Sequence, residues 1–285
     1  MTKPDHSGVP TARRVFSVEG PWSLRSSVAF WEGFAPSALP HQQGEDRLTT
    51  AFLAEGDWRR VEVVVTQKGE SAELTLSGGG DLDAAAAQVR RFLSIDIDAT
   101  GWPEVGRRDP VIADAQKRLD GLRPCGFFSP FEAAAWTVLS QRVQMRQAAR
   151  MRQDIIERYG DDGAFPAPKV ILANTFDLPG RKNEYLHAVA EGALEGVLDG
   201  SALRHLDPVV ALERVQSIKG LGPFAAELVV IRGANAPDVL PVHESRLAAE
   251  VVRLYGADRT VEEISESWRP FRSWAAVHLR ALATL

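Results

Sequence analysis

The residues whose types and spacing could do chemistry lie in the stretch Leu212–Glu244, LERVQSIKGLGPFAAELVVIRGANAPDVLPVHE. One apolar helical pattern ends at Gly220-Leu221-Gly222, and Pro223 begins a second helix at the position where a helix best tolerates proline. Glycine permits positive φ and lets another molecule approach bare backbone. The free N–H groups at the start of the second helix therefore form a site for an anion such as phosphate.

Glu244 is the acidic residue that ends this stretch. A carboxylate can stabilise positive charge in a transition state, and it can orient or deprotonate water. The alternative is a glutamate that interacts with the dipole at a helix start. His243 and Asp238 lie nearby, and we favour Glu244 over either as a catalytic acid. For the hairpin itself, the alternative is an ordinary corner between two helices of an all-helical protein.

The order of these features resembles that of the helix-hairpin-helix DNA glycosylases. They carry a hairpin of the form Leu-Pro-Gly-Ile-Gly-x-Trp-Thr-Ala, then Arg-Gly, then Pro-Asp-Val-Phe-Pro, and a catalytic aspartate three residues after that last proline. This chain has IKGLGPFAA at 218–226, Arg232-Gly233, PDVLP at 237–241, and Glu244 in the place of the aspartate. The resemblance implies that Glu244 is the catalytic acid. Glutamate is one methylene longer, and a displacement of about 1 Å can cost roughly a hundredfold in rate.

The hairpin is the part of the chain to which the resemblance assigns DNA contact. The residues concerned are Lys219, Gly220, Leu221, Gly222 and Pro223. In the family, backbone carbonyls of the hairpin also hold a monovalent cation that bridges to phosphate. The matching residues here are Gln216, Ile218 and Leu221.

The segment 128–159 resembles a second part of the family, in which a Gln-x-Val turn joins two helices. The turn here contains Gln141 and Arg142. On one continuous helix Arg142 would lie on the apolar face, so a break at the turn is expected to release it. In the family, the residue after this glutamine often fills the gap that an extruded base leaves in the DNA stack. The resemblance therefore makes Gln141 and Arg142 DNA-binding residues; the alternative for Arg142 is a surface phosphate contact or ion pair. Arg146 and Arg150 continue a basic row at helical spacing, for which a solvated face is the commoner explanation and phosphate contact the second option.

The base pocket is the part that departs most from the family. Phe224 matches a pocket tryptophan and could stack on an electron-poor alkylated purine. Leu228, Ser245 and Arg280 stand where the 3-methyladenine branch has its other aromatic positions. Bifunctional members have a lysine nucleophile at the position of Phe224, so the resemblance implies water as the nucleophile here. The segment 268–275, WRPFRSWA, matches the family closely, and its tryptophans are expected to pack in a core.

Two regions differ in their hydrophobic pattern. Residues 1–105 are predicted to form a small α/β domain with an antiparallel sheet, after a loose tail to about Arg13 and before a turn-rich segment at 98–108. Alternating Val61, Val63 and Val65 indicate one of its strands. From residue 106 to 285 the period is helical, which predicts an all-helical domain and an α+β class. This layout is also that of the bacterial 3-methyladenine DNA glycosylase II family.

Composition excludes several classes of protein. The 285 residues are 45% hydrophobic and 25% charged, which is ordinary for a globular protein. No apolar run has the length of a membrane span, and the N-terminus lacks the apolar segment of a signal peptide, so we expect a cytoplasmic protein. The single cysteine, Cys125, excludes an internal disulfide and a four-cysteine iron–sulfur cluster. A net charge of −5 argues against a nonspecific nucleic-acid binder but allows a local basic face.

The resemblance implies a monofunctional DNA glycosylase of base-excision repair. Such an enzyme would act as a monomer on double-stranded DNA, with damaged bases and above all alkylated purines as substrates, and without a cofactor apart from the hairpin cation. The alternative is a catalytically weak or inactive DNA-binding protein on a glycosylase scaffold. A third hypothesis, an all-helical protein-interaction module, predicts no DNA binding.

Overall fold

The computed structural model describes residues 9–33 and 46–283. Its sheet contains β1 (Thr11–Ser17), β2 (Arg47–Leu53), β3 (Arg60–Lys68) and β4 (Ser71–Gly78), in the order β1-β4-β3-β2 with antiparallel pairing. The alternating valines of β3 are at most 1% exposed, because one face of the sheet is turned to the core. Residues 1–8 of the predicted tail lie outside the described residues.

Two helices cover the inner face of the sheet: α1 (Leu24–Glu32) and α2 (Leu82–Phe92). Asp81 begins α2, since its carboxylate accepts the free N–H groups of residues 83 and 84. Between sheet and helices lies a cluster of aromatic rings, in which Phe128 stacks on Phe52 and Phe92 and meets the edge of Trp31. This packing fixes α1, which later forms one wall of the site.

Two elements differ from the sequence predictions. Strand β1 begins at Thr11, within the predicted tail; its residues are exposed or half-buried in alternation, and the edge strand lacks the apolar signal of its neighbours. Helix α3 (Trp102–Arg108) occupies the segment predicted as turns. It forms because Trp102 and Val105 bury their side chains against the C-terminal helices.

The rest of the described chain is helical. The elements are α4 (Pro110–Arg118), α5 (Pro130–Ser140), α6 (Met145–Tyr159), α7 (Pro168–Ala173), α8 (Lys182–Leu194), α9 (Gly200–His205), α10 (Pro208–Gln216), α11 (Pro223–Leu228), α12 (Ser245–Tyr255), α13 (Val261–Ser265) and α14 (Arg272–Leu282). A π-helical turn, Val229–Gly233, continues α11, and a 3-10 turn, Glu266–Trp268, follows α13. No helix in the described ranges is long and apolar enough to cross a membrane.

The helices pack around two apolar clusters. One contains α5 to α11 with the π-helical turn, and the other contains α3, α4 and α12 to α14. The predicted boundary between residues 105 and 106 falls inside α3, whose Val105 belongs to the second cluster. The α+β class, with an antiparallel sheet in the N-terminal part and helices after it, is confirmed.

Candidate active site

A cavity of about 860 Å³ opens between the two helical clusters and α1, a volume within the range of small-molecule sites. Most of its lining is apolar, as in typical ligand sites. Its lining includes Phe30, Phe224, Glu227, Leu228, Glu244, Arg246, Ser273 and Arg280. Phe224 and Glu244, predicted as the base-stacking ring and the acid, therefore line the same cavity.

Glu244 caps the N-terminus of α12. Its Oε1 accepts the N–H of Arg246 at 3.1 Å, and its Oε2 accepts the N–H of Leu247 at 3.0 Å. The Glu244 side chain is 24% exposed. Its Oε2 also forms an ion pair with Arg280 Nε, at 3.0 Å. The helix-start role proposed as an alternative is therefore present, and it coexists with a place in the cavity wall. The extra methylene of glutamate lets the same carboxylate cap the helix and also reach Arg280.

Glu227 is a second cavity carboxylate, and the sequence predictions missed it. It lies on α11 with a side chain 4% exposed, and it accepts the backbone N–H groups of Val242 and His243. His243 Nδ1 lies 2.6 Å from Glu227 Oε1. These bonds fix the loop that leads into Glu244. A glutamate within the apolar run AAELVV at 225–230 was the signal available in the sequence, because a buried carboxylate needs partners.

Asp238, the other nearby acid, has a structural role. Its carboxylate accepts Nε and Nη2 of Arg272 at 2.9 and 3.0 Å and the backbone N–H of the same residue at 3.1 Å. Arg269 adds an ion pair at 3.3 Å. These contacts join the loop before α12 to the start of α14. Asp238 does not line the cavity.

The hairpin between α10 and α11 contains two glycines in different environments. Gly220 has a φ of 93°, and a Cβ there would lie 2.4 Å from the ring of Tyr185. Gly222 has a φ of −93°, and a Cβ there would meet nothing within 4 Å. The fold thus requires glycine at position 220 and leaves open space at position 222, where another molecule can approach the backbone.

Lys219 and the hairpin carbonyls were predicted to contact phosphate and a cation. Lys219 Nζ lies 2.5 Å from Glu184 Oε1. Bonds from Arg181 and Lys219 lower the pKa of Glu184 to about 2. The carbonyl of Ile218 accepts the N–H of Leu221 at 3.1 Å, which leaves one lone pair for a cation. A backbone oxygen with a free lone pair suits a monovalent cation, and the cation at Gln216, Ile218 and Leu221 stays a prediction.

The turn between α5 and α6 breaks the helix where the sequence analysis placed the break. Helix α5 ends at Ser140, and Arg142 is exposed with a φ of 54°. Gln144 begins α6 without a side-chain cap. The amide of Gln141 donates to the carbonyl of Gly220 at 2.8 Å. The two segments predicted to bind DNA therefore touch each other. Arg146 and Arg150 on α6 are also exposed.

Lys182 stabilises this turn from the protein interior. The sequence analysis did not predict this role. Its Nζ donates to the carbonyls of Val138, Leu139 and Gln141 at 2.7, 2.9 and 2.8 Å. These are the free carbonyls at the C-terminus of α5, which a cation stabilises. The residue is 5% exposed, and burial lowers the pKa of the lysine. Its role depends on a partner forty residues away, so no local pattern indicates it.

The aromatic residues divide between cavity and core. Phe224 is 47% exposed at the cavity, whereas Trp268 and Trp274 are at most 1% exposed. Trp268 donates its Nε1–H to Asp109 at 2.8 Å. The core role expected for the two tryptophans is confirmed. Leu228 and Arg280 line the cavity, as their alignment with pocket positions suggested, while Ser245 is exposed and does not.

The curated proteins to which this chain is similar are DNA repair enzymes. No family model matches the chain. A DNA-3-methyladenine glycosylase of Bacillus subtilis is 24% identical over 67% of this chain and 69% of its own length. DNA-3-methyladenine glycosylase 2 of Escherichia coli is 26% identical over 80% of this chain and 83% of its own. A probable bifunctional transcriptional activator/DNA repair enzyme AlkA of Mycobacterium tuberculosis is 28% identical over 72% of this chain, which spans 44% of that relative.

Solved structures share the fold. The 3-methyladenine DNA-glycosylase from Archaeoglobus fulgidus superposes with a TM-score of 0.71 at 20% identity, over 93% of this chain and 96% of its own. A structure of MBOgg1 with a DNA ligand superposes at 0.64 and 15% identity, over 96% of this chain and 99% of its own. The fold is that of the helix-hairpin-helix DNA glycosylases, and the hairpin, the acid-bearing cavity and the sequence relatives are consistent with that superfamily. The relatives from Bacillus subtilis and Escherichia coli named above are DNA-3-methyladenine glycosylases, which hydrolyse N-glycosyl bonds, and the chain is similar to them in sequence over two thirds or more of its length.

Proposed function

We propose that this protein removes damaged purine bases from double-stranded DNA by hydrolysis, with Glu244 as the catalytic acid. The observation that carries the proposal is the common cavity of Glu244 and Phe224, because hydrolysis needs a carboxylate beside a surface that holds the base. A cavity of about 860 Å³ is large enough for an extruded nucleotide.

The DNA backbone would bind at the hairpin. Gly222 leaves its backbone open, and Pro223 begins a helix whose free N–H groups attract phosphate. Arg142, exposed on the neighbouring turn, would enter the stack where the base has left. Because the amide of Gln141 donates to the carbonyl of Gly220, the turn between α5 and α6 that carries Arg142 (the wedge turn) stays at a fixed distance from the hairpin. Arg146 and Arg150 would add phosphate contacts that weaken as salt rises.

Cleavage of the glycosidic bond develops positive charge on the sugar, as in other glycoside chemistry. The carboxylate of Glu244 accepts two hydrogen bonds, from the N–H groups of Arg246 and Leu247, and its Oε2 forms an ion pair with Arg280 at 3.0 Å. A carboxylate has about four acceptor positions, so one remains on Oε1. That position can face the sugar cation or hold the attacking water. The two hydrogen bonds and the ion pair fix the carboxylate before the reaction, which favours electrostatic stabilisation.

Hydrolysis rather than lyase chemistry is expected. Phe224 stands at the position where a nucleophilic amine would have to act, and Lys219 points to Glu184 on α8. Lys182 is buried beneath the wedge turn with three carbonyl partners. The product would be a free base and an intact abasic strand.

Alkylated purines are the first substrates to examine, because the relatives from Bacillus subtilis and Escherichia coli carry the name 3-methyladenine glycosylase. The ring of Phe224 supports this choice, since an electron-poor alkylated purine is attracted to an aromatic face. The face is 47% exposed, so it is free to accept a base.

The test is release of free base from methylated duplex DNA. Wild-type protein is expected to release methylated purines and leave abasic sites, and Glu244→Gln to reduce the rate by about a hundredfold or more. Glu250→Gln on the same helix, outside the cavity and paired with Arg253, is the matched control and should keep full activity.

Two results would contradict the proposal. Equal base release by wild type and Glu244→Gln would remove Glu244 from the mechanism. Tight, salt-sensitive binding of damaged DNA without any release would establish the non-catalytic DNA-binding protein instead.

A further inference from the structure

Arg280 is a cavity residue whose Nη groups have no role in the proposed mechanism. It lies on α14, lines the cavity with Phe224 and Glu244, and is 28% exposed. Its Nε forms an ion pair with Glu244 Oε2 at 3.0 Å. Its two Nη groups have no hydrogen bond or ion pair to any residue within 9–33 or 46–283.

Most acceptors at this end of the cavity are already engaged, apart from the position on Glu244 Oε1 that the proposed mechanism assigns to the sugar or to water. Glu227 accepts from the loop before α12, and Glu244 from its helix start and Arg280. Ser273 Oγ accepts the N–H of Val239 at 2.9 Å and donates to the carbonyl of the same residue at 2.7 Å. The donors left for a ligand here are the Nη groups of Arg280, which Glu244 holds at the cavity wall, and the side chain of the exposed Arg246; guanidinium only donates.

We propose that Arg280 is a specificity-determining residue that donates hydrogen bonds to the extruded base and favours neutral purines with an acceptor, such as a carbonyl oxygen, on the exposed edge. The proposal rests on the proposed function and names the substrate class within it. A neutral purine supplies the acceptor, whereas a purine that carries a formal positive charge brings like charge to the guanidinium.

The bond-breaking step strengthens this preference. When the C1′–N bond breaks, its electron pair goes to the base nitrogen, so a neutral base leaves as an anion and a cationic base leaves neutral. The guanidinium would stabilise the anion through its N–H groups, without giving up a proton. Water adds its oxygen to C1′ and loses a proton through Glu244 to solvent, and the released base takes a proton from solvent. Only the neutral substrate gains from a nearby cation in this step.

The experiment compares two defined duplexes, one with hypoxanthine, a neutral carbonyl-bearing purine, and one with 7-methylguanine, a cationic one. Arg280→Met removes the contact with Glu244 and is expected to lower the release of both bases, but hypoxanthine release should fall at least about tenfold more than 7-methylguanine release. Arg280→Lys, which keeps the charge and fewer donors, should fall between. Arg253→Met, which removes an arginine outside the cavity, should match wild type.

A binding measurement separates this proposal from the proposed function. In a Glu244→Gln background, the affinity ratio of the hypoxanthine duplex to the 7-methylguanine duplex is expected to fall about tenfold or more when Arg280→Met is added. That fall supports the specificity role even if wild type releases neither base, a result that would end the hydrolysis proposal alone. Equal losses for both duplexes, in rate and in affinity, would overturn the specificity role and leave Arg280 as a support for Glu244.

Discussion

Glu244 shows how one side chain can serve both a helix and a cavity. Its two oxygens accept the N–H groups of Arg246 and Leu247, and Oε2 also meets Arg280. An aspartate would cap the helix at least as well, but its carboxylate would stop about one bond length short of Arg280. The surroundings of Glu244 are therefore built for the longer acid.

The first prediction concerns Glu244→Asp. We expect unchanged thermal stability, because the cap remains, and a fall in base release of roughly tenfold to a hundredfold, because a shift of about 1 Å misplaces the carboxylate. Single-turnover kinetics on methylated duplex DNA measures the chemical step. A faster variant would show that the cavity suits the shorter acid.

The second prediction concerns the two hairpin glycines. A variant of Gly220 should affect stability and a variant of Gly222 should affect DNA binding, so each is the control for the other. Gly220→Ala should destabilise the protein by about 1 to 3 kcal/mol, since a Cβ there is strained by a φ of 93° and meets Tyr185. Gly222→Ala should change stability by less than about 1 kcal/mol. It should still weaken DNA binding about tenfold, because a methyl group intrudes where phosphate approaches.

Denaturant unfolding and a DNA titration at fixed salt measure the two effects on the hairpin. Unchanged DNA affinity in Gly222→Ala would show that the open space at this glycine is not where the backbone binds.

At the scale of elements, α8 supports both segments that are proposed to bind DNA. Lys182 binds the carbonyls at the end of α5, Tyr185 packs beneath Gly220, and Glu184 pairs with Lys219. One helix thus sets the distance between the wedge turn and the hairpin. A rigid spacing of this kind reduces the entropy that must be lost when the protein binds DNA.

The third prediction follows from that role. Lys182→Met keeps the length of the side chain and removes the donor, which leaves the carbonyls of Val138, Leu139 and Gln141 without it. We expect a stability loss of about 1 to 3 kcal/mol and a clear loss of affinity for damaged duplex at temperatures where the variant is folded. Lys169→Met, at an exposed position of α7, is the control.

A variant of Lys182 with normal affinity would show that the wedge turn does not depend on this lysine. Fluorescence of a base analogue beside the lesion, read on the same samples, would report whether the base is still extruded.

The elements also show what the sequence could predict. The alternating valines of β3 and the Gly-x-Gly-Pro corner carry their own local signals, and both elements formed where expected. Strand β1 and helix α3 were missed because their burial depends on distant partners, and the edge of a sheet carries little apolar pattern. The role of Lys182 was missed for the same reason, because its partners are distant in sequence. Glu244, in contrast, could be assigned to the site from the order of motifs along the chain.

At the scale of the whole molecule, the cavity lies where the sheet-bearing N-terminal part and the two helical clusters meet. Phe30 of α1 comes from the sheet-bearing unit, Phe224 from the first helical cluster and Arg280 from the second. Buried Arg123 joins the units, since it donates to the carbonyls of Pro21, Ser94 and Ile97. The N-terminal part, in which no chemistry was predicted, thus contributes a wall of the site.

Because α14 carries Arg280, the stability of its cluster bears on the site, and His278 on the same helix should make that stability depend on pH. His278 is fully buried beside Trp102. Burial lowers the pKa of His278 from 6.5 to about 4, although a bond to the carbonyl of Trp274 opposes the shift. Between these values the unfolded chain binds a proton that the folded chain does not. The contribution is therefore complete above pH 6.5 and is lost as pH falls to 4, to a total of about 3 kcal/mol.

The fourth prediction is a weaker dependence of stability on pH in His278→Gln. Burial raises the pKa of Glu55 to about 7, so this group acts in the opposite direction and loses its contribution as pH rises from 4.5. The comparison must therefore use the difference between variant and wild type at each pH, in which Glu55 cancels. Urea unfolding from pH 7 to pH 4 should show that this difference shrinks by about 2 to 3 kcal/mol on acidification. His205→Gln, at an exposed position of α9, should track wild type throughout. A constant difference for His278→Gln would mean that the imidazole takes up its proton in the folded core at an ordinary pH, so that the cluster which carries Arg280 opens to water far more readily than its packing implies.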